Sequence, residues 1–166
     1  MISQVRYRIL LPVIHTVAAI LFGGVGLWQR HAILDQRFMG NQTMWDTTAR
    51  FHVWPLPYRL AVISNVPAFL TAGFIEWPLS SLWPRMSELV GFALFVLCVP
   101  VLWYFLGKKF DKTPLARHRY RTVLLSFTVL SVAAMFTPGY IAYLFTGSLL
   151  WVAFVIVTAA VGHPGS

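Results

Sequence analysis

Between Thr122 and Val161 the chain has no Asp, Glu, Lys or Arg at all. As one helix rising about 1.5 Å per residue, this run would measure roughly 60 Å, twice the hydrocarbon thickness of a bilayer at about 30 Å. It must fold back on itself. The break falls at Thr137-Pro138-Gly139-Tyr140, where proline lacks an amide donor and glycine accepts the backbone angles of a reversal.

Charge is scarce elsewhere too. Charged residues make up 11% of the chain and apolar ones 58%, against about 25% and about 45–50% in soluble domains. That balance excludes a small soluble fold, which lacks the polar surface to cover so much apolar material. The single cysteine, Cys98, excludes an intrachain disulfide and a paired-thiol metal site, and reads as a small packed residue. There is no nucleotide-binding loop, no nucleophile elbow, no HExxH and no Cys-x-x-Cys-His. The only glutamates, Glu76 and Glu88, are separated by two prolines and give no reason to be paired, which argues against a hydrolase. No charged residue falls within an apolar span, which argues against a proton- or voltage-coupled machine. The formal charge of +8 is distributed between apolar stretches and forms no continuous stripe, so nucleic acid is not an expected partner.

What is present is a set of apolar spans: Ile9–Trp28, Leu60–Ile75 (extending to Leu79), Leu89–Gly107, Thr122–Phe136 (extending back to Arg119) and Ile141–Val161. Arg6 and Arg8 precede the first, but its 20 apolar residues exceed the roughly 7–15 of a signal-peptide core, so it reads as a retained span. Inside a bilayer each segment must be helical to satisfy its own backbone. The expectation is an all-α integral membrane protein, one domain over residues 1–166: a bundle of about five transmembrane helices, or four if Leu60–Ile75 is re-entrant. That second span is the weakest, because it contains Ser64, Asn65, Pro67 and Gly73.

Crossing by all five places ten basic residues, in loops 29–59 and 108–121, on one face against three on the other. The positive-inside rule then makes those two loops cytoplasmic, in the cell (plasma or inner) membrane. If the second span does not cross, the division becomes eight, including the N-terminal pair, against five, and the N-terminus moves inside. Tyr7, Trp28, Tyr58, Trp77, Trp103, Tyr104, Tyr120 and Tyr140 fall near span ends, as an interfacial aromatic belt requires. Trp151 falls mid-span, so its ring N–H is expected to face another helix and donate to a backbone or hydroxyl oxygen. Ala19 and Gly23 form a small-residue pair suited to close helix packing, and Ser126, Ser131, Ala133 and Ala134 give the fourth span a small face.

Three places carry candidate chemistry. His15 lies about two turns into the first span; it is the candidate cofactor ligand, as an axial haem ligand or quinone hydrogen-bond donor, against a plainer role bonded to a neighbouring helix. No motif supports haem, and no cofactor is expected. Asn65, two residues before Pro67, is the candidate substrate ligand of a small transporter or channel, since interrupted helices coordinate substrate in transporters; its plainer role is to satisfy the backbone that Pro67 disrupts. In the first loop, residues 43–54 suit an interfacial amphipathic helix, in which Trp45, Arg50, Phe51 and His52 are the candidate partner-facing residues. His31, His52, His118 and His163 share the basic face in the five-span reading, without metal-ligand spacing. The expected partners are the lipid bilayer and other membrane subunits or further copies of the chain. The expected role is a non-catalytic accessory, assembly or scaffold subunit.

Overall fold

Long runs free of charge and of paired breakers give helices, and a computed structural model, which describes residues 6–38, 54–80, 87–112 and 117–161, contains six of them and no strand among the described residues. They are α1 (Tyr7–Phe38), α2 (Leu56–Ile63), α3 (Val66–Ser80), α4 (Ser87–Lys112), α5 (Arg117–Ala134) and α6 (Tyr140–Val161). The proposed interfacial helix, with Trp45, Arg50, Phe51 and His52, lies outside the described residues, as does His163. Three helices, α1, α4 and α6, are long and apolar enough to cross a membrane. The pair α2 and α3, bent by 96° at Ser64-Asn65, makes up to four if taken as one span. The expected count of five is not reached by length and composition, because Arg117, Arg119 and Arg121 occupy the first turns of α5.

Antiparallel α1 and α4 form the spine. Their register is fixed by three contacts: Gly107 against the backbone of Tyr7, Trp103 against His15, and Phe92 against Gly23. A Cβ on Gly107 would stand 2.5 Å from the Tyr7 carbonyl oxygen, and one on Gly23 would stand 2.5 Å from the Phe92 ring. Two of the glycines in these spans are therefore contact points between helices. Ala19, fully buried, continues the Gly23 face, so the small-residue pair is used inside the bundle. At the start of α1, Asp111 accepts from the amides of Tyr7 (2.9 Å) and Arg8 (3.2 Å). A carboxylate from the end of α4 thus caps α1, satisfying two amides and opposing the positive end of its dipole.

With α1 as the ruler, the path of α2 and α3 follows. Gly26 of α1 touches Tyr58 at the start of α2. Asn65, at the bend, bonds to Trp103, which lies level with His15. Glu76, late in α3, lies over Gly91, next to the Phe92 that meets Gly23. On α1 the descent from Gly26 to His15 is about 16 Å, and the return to Gly23 is about 12 Å, at about 1.5 Å per residue. The pairs Asn65–Trp103, Phe69–Phe95 and Glu76–Gly91 set α3 antiparallel to α4, whereas Arg59–Tyr143 and Ile63–Gly147 set α2 parallel to α6. Both arms therefore open toward the same end of the bundle.

This geometry separates charges that the five-span reading puts on one face. Residues 29–38 continue α1 as helix, and Arg30 stacks over Trp54 at 4.6 Å, beside Tyr58 and Arg59. Arg59 reaches the α5–α6 turn, donating to the carbonyls of Trp54 (2.8 Å) and Thr137 (3.0 Å). Lys108–Lys112 and Arg119–Arg121 lie at the opposite end, where Arg121 donates to the Tyr7 hydroxyl at 3.0 Å. The described parts of the two basic loops thus lie at opposite ends, and so do His31 and His118. The reversal at residues 137–140 is present as expected, with Gly139 at φ +84°. Pro78 does not stop its helix: α3 continues to Ser80.

Packing at Gly107 gives a direct test. Gly107→Val should cost about 1–3 kcal/mol by forcing α1 and α4 apart, read as a lowered thermal midpoint in detergent. Gly73→Ala, where an added Cβ meets nothing within 4 Å, should be neutral or favourable by up to about 1 kcal/mol.

Candidate functional site at the helix break

The chemistry of the bundle centre starts from a missing proton. Pro67 has no amide to offer the carbonyl of Ile63, four residues earlier, and Ile63 is fully buried. A buried carbonyl left without a partner is costly, so another donor must come from elsewhere in the fold. It is the indole of Trp151, whose Nε1 donates to the Ile63 oxygen at 3.0 Å across 88 positions of sequence. The mid-span tryptophan and the proline break, two separate anomalies in the sequence, satisfy each other.

The neighbouring carbonyls are engaged locally. Ser64 donates its amide and its hydroxyl to the Leu60 carbonyl, and the amide of Asn65 donates to Val62. Asn65 is 1% exposed and uses both ends of its side chain. Its Nδ2 donates to the Ala61 carbonyl at 2.9 Å, and its Oδ1 accepts from Trp103 Nε1 at 2.7 Å. The last turn of α2, which would otherwise end in open carbonyls, is closed in this way.

Trp103 is the residue that sequence reasoning misplaced. Ending the third span at Gly107 puts it at a headgroup-level belt, but α4 runs on to Lys112, and Trp103 is fully buried. Its ring lies against His15 in a near-parallel stack, with centroids 3.4 Å apart and planes at 14°. Its edges meet Trp151 at 5.6 Å, Phe154 at 6.3 Å and Phe127 at 6.4 Å. Three of the residues that stand out in the sequence, His15, Asn65 and Trp151, therefore converge on a fourth. His15 packs against an indole face of a neighbouring helix. The belt is otherwise mixed: Trp28 and Trp77 are 71% and 75% exposed, but Tyr7, Tyr58 and Tyr120 are buried.

Hydroxyl groups divide by position. Thr71, Thr122, Thr128, Thr146 and Ser148, on outer or partly covered faces, donate to the carbonyl four residues earlier. With an apolar exterior, their own helix is the available acceptor. Thr16, Ser131 and Thr158 turn inward, and their hydroxyl oxygens have no partner among the described residues. No group of three His, Cys, Asp or Glu residues suited to a metal occurs among the described residues. In comparison with known proteins, no family model, no curated protein and no solved structure matches the chain.

The bonding pattern predicts unequal costs for similar changes. Trp151→Phe should destabilise by about 1–3 kcal/mol, since the Ile63 carbonyl stays buried without a donor. Thr158→Val, which removes a hydroxyl that has no partner, should be neutral or stabilising. A double-mutant cycle of Asn65→Leu with Trp103→Phe should give a coupling of about 0.6 to 1.7 kcal/mol, the range of interhelical hydrogen bonds in membranes. Equal midpoints for Trp151→Phe and Thr158→Val in thermal unfolding would show that the indole bond contributes nothing.

Proposed function

We propose that the chain is a membrane-embedded, non-catalytic scaffold or assembly subunit in which α1, α4 and α6 cross together with α5, whose first-turn arginines snorkel to the interface, and the re-entrant pair α2 and α3 locks the bundle. The observation that carries this reading is the commitment of the break's polar groups to Trp103, Trp151 and their own backbone. A transporter or redox site requires polar atoms directed at a passing ligand; here the Asn65 amide and the Ile63 carbonyl hold helices together instead. The outer faces support the same reading. Ile9, Val13, Leu21, Phe74, Phe105, Leu125, Val129, Ile141, Phe145 and Ile156 all stand outward with half or more of their surface exposed, apolar area of the kind that lipid or neighbouring subunits cover.

Sidedness belongs to this reading. Between Arg8 and Trp28, α1 measures about 30 Å, the thickness of the hydrocarbon region. The end holding Tyr7 gathers Arg6, Arg8, Lys108, Lys109, Lys112, Arg117, Arg119 and Arg121, with Asp111 as the acidic residue among its described helices. The opposite end mixes Arg30, Arg37 and Arg59 with Asp35, Glu76 and Glu88. The positive-inside rule assigns the Tyr7 end to the cytoplasm.

Two experiments test the proposal. Reporter fusions after Phe38 and Ser80 should report the same, non-cytoplasmic side, and a fusion after Lys112 the cytoplasmic side; opposite reports from Phe38 and Ser80 would restore a crossing second span. Purified in mild detergent from its native membrane, the full chain should elute with an integral membrane partner or as an oligomer. A lone monomer that conducts solute in proteoliposomes, with flux abolished by Asn65→Ala, would overturn the scaffold reading.

A further inference from the structure

We infer that the groove between α5 and α6 is a binding site for an anionic phospholipid, with the headgroup at Arg119 and one acyl chain along the groove. The groove has a volume of about 190 Å³ and is lined by Thr122, Ser126 and Leu130 on one wall and Leu150, Ala153 and Val157 on the other. Leu130, Val157 and Ser126 are exposed, so it opens on the outer face of the bundle, where a lipid chain enters without displacing protein. Along α5 the Thr122–Leu130 stretch covers about 12 Å, the length of several methylene pairs.

Polarity along the groove is graded. Leu130 and Leu150 line the deep end, Ser126 the middle, and Thr122 the mouth. Arg119 stands one turn beyond, four residues before the groove-lining Val123, and is exposed on the same stripe. The end is predominantly basic, with Arg8, Lys108, Lys109, Lys112, Arg119 and Arg121 against Asp111 among its described residues. Charge complementarity therefore selects an anionic headgroup. The second groove shows the contrast: between α3 and α4, at about 390 Å³, it is lined by Pro67, Thr71, Ile75, Leu94, Cys98 and Leu102, with no basic residue along it.

The site rests on the membrane-embedded reading above, and its test separates the two. The full chain, purified in detergent, is titrated with dioleoyl phosphatidylglycerol, dioleoyl phosphatidylcholine or glycerol 3-phosphate, and binding is read by native mass spectrometry with the thermal midpoint alongside. Phosphatidylglycerol should bind tightest. Arg119→Gln should weaken it about fivefold, the change expected for one basic residue at an anionic membrane surface, and Arg119→Lys should recover most of it. Ala153→Phe, or Ser126→Phe should the first fail to fold, should abolish the preference by filling the groove while leaving phosphatidylcholine binding unchanged. Equal binding of the two lipids, equal binding of glycerol 3-phosphate, or an unchanged preference in both groove and Arg119 variants would overturn the site. Alkaline carbonate extraction of native membranes reports on embedding independently: release of the chain would remove the membrane reading itself, whereas retention with no lipid preference would remove only the site.

Discussion

The fold turns on one buried carbonyl. Pro67 deprives Ile63 of its helical donor, and a buried carbonyl needs another in its place. The donor that arrives, Trp151, is anchored in α6, so the bond fixes the rotation and the axial position of α6 against α2. Asn65, two residues past the end of α2, fixes α4 in a similar way through Trp103. Two indole N–H groups, from two helices far apart in sequence, thus meet a single break. Because Trp103 and Trp151 also touch each other, the two bonds share one aromatic wall with Phe127 and Phe154. Moving either helix would break a hydrogen bond and open a cavity at once.

The ends of the bundle follow a related electrostatic logic. An amide-rich helix start carries partial positive charge and a helix end partial negative charge. At the start of α1 the compensating group is a carboxylate from α4, and after the end of α5 it is the guanidinium of Arg59, donating to the Thr137 carbonyl and lying 5.5 Å from the Tyr143 ring. Neither group comes from the helix it serves. Charges that would be counted simply as loop charges therefore act as clamps between elements, and Arg59 in particular is partly buried.

Several features could be read from the sequence because they are local. Freedom from charge marked the stretches that became α1, α4 and α6; Pro138-Gly139 marked the reversal; Ser64, Asn65 and Pro67 marked a weak helix, and the helix is broken there. Trp151 was legible as a donor in need of an acceptor, since an indole N–H in an apolar span has few alternatives. What was not legible depends on direction and distance. A two-residue break has no hydropathy signature that separates a kink from a reversal, so the return of α3 toward its starting end, and with it the placement of the two basic loops, appeared only in three dimensions. Trp103 was misjudged for a similar reason: a tryptophan five residues before a Lys-Lys pair looks interfacial until the helix is seen to run past that pair. Asp111 gave no local sign that its partners were amides more than one hundred positions away.

Polar atoms that are already committed do not become available to a ligand without breaking the fold, and this limits where chemistry can reside. Asn65 stands in the position that an interrupted helix would use to hold a substrate, yet withdrawing its Oδ1 would strand the Trp103 indole in a fully buried setting. Pulling Trp151 away would leave the Ile63 carbonyl bare. The energy of the break is invested in shape, as the proposed scaffold role requires. Inward polar capacity that is not yet spent lies elsewhere, on Thr16, Ser131 and Thr158, which belong to three different helices. In α5 and α6, by contrast, Thr122, Thr128, Thr146 and Ser148 bond to their own backbone. A buried hydroxyl without that bond acts through its packed volume rather than through a polar contact between helices, the reverse of the committed groups at the break.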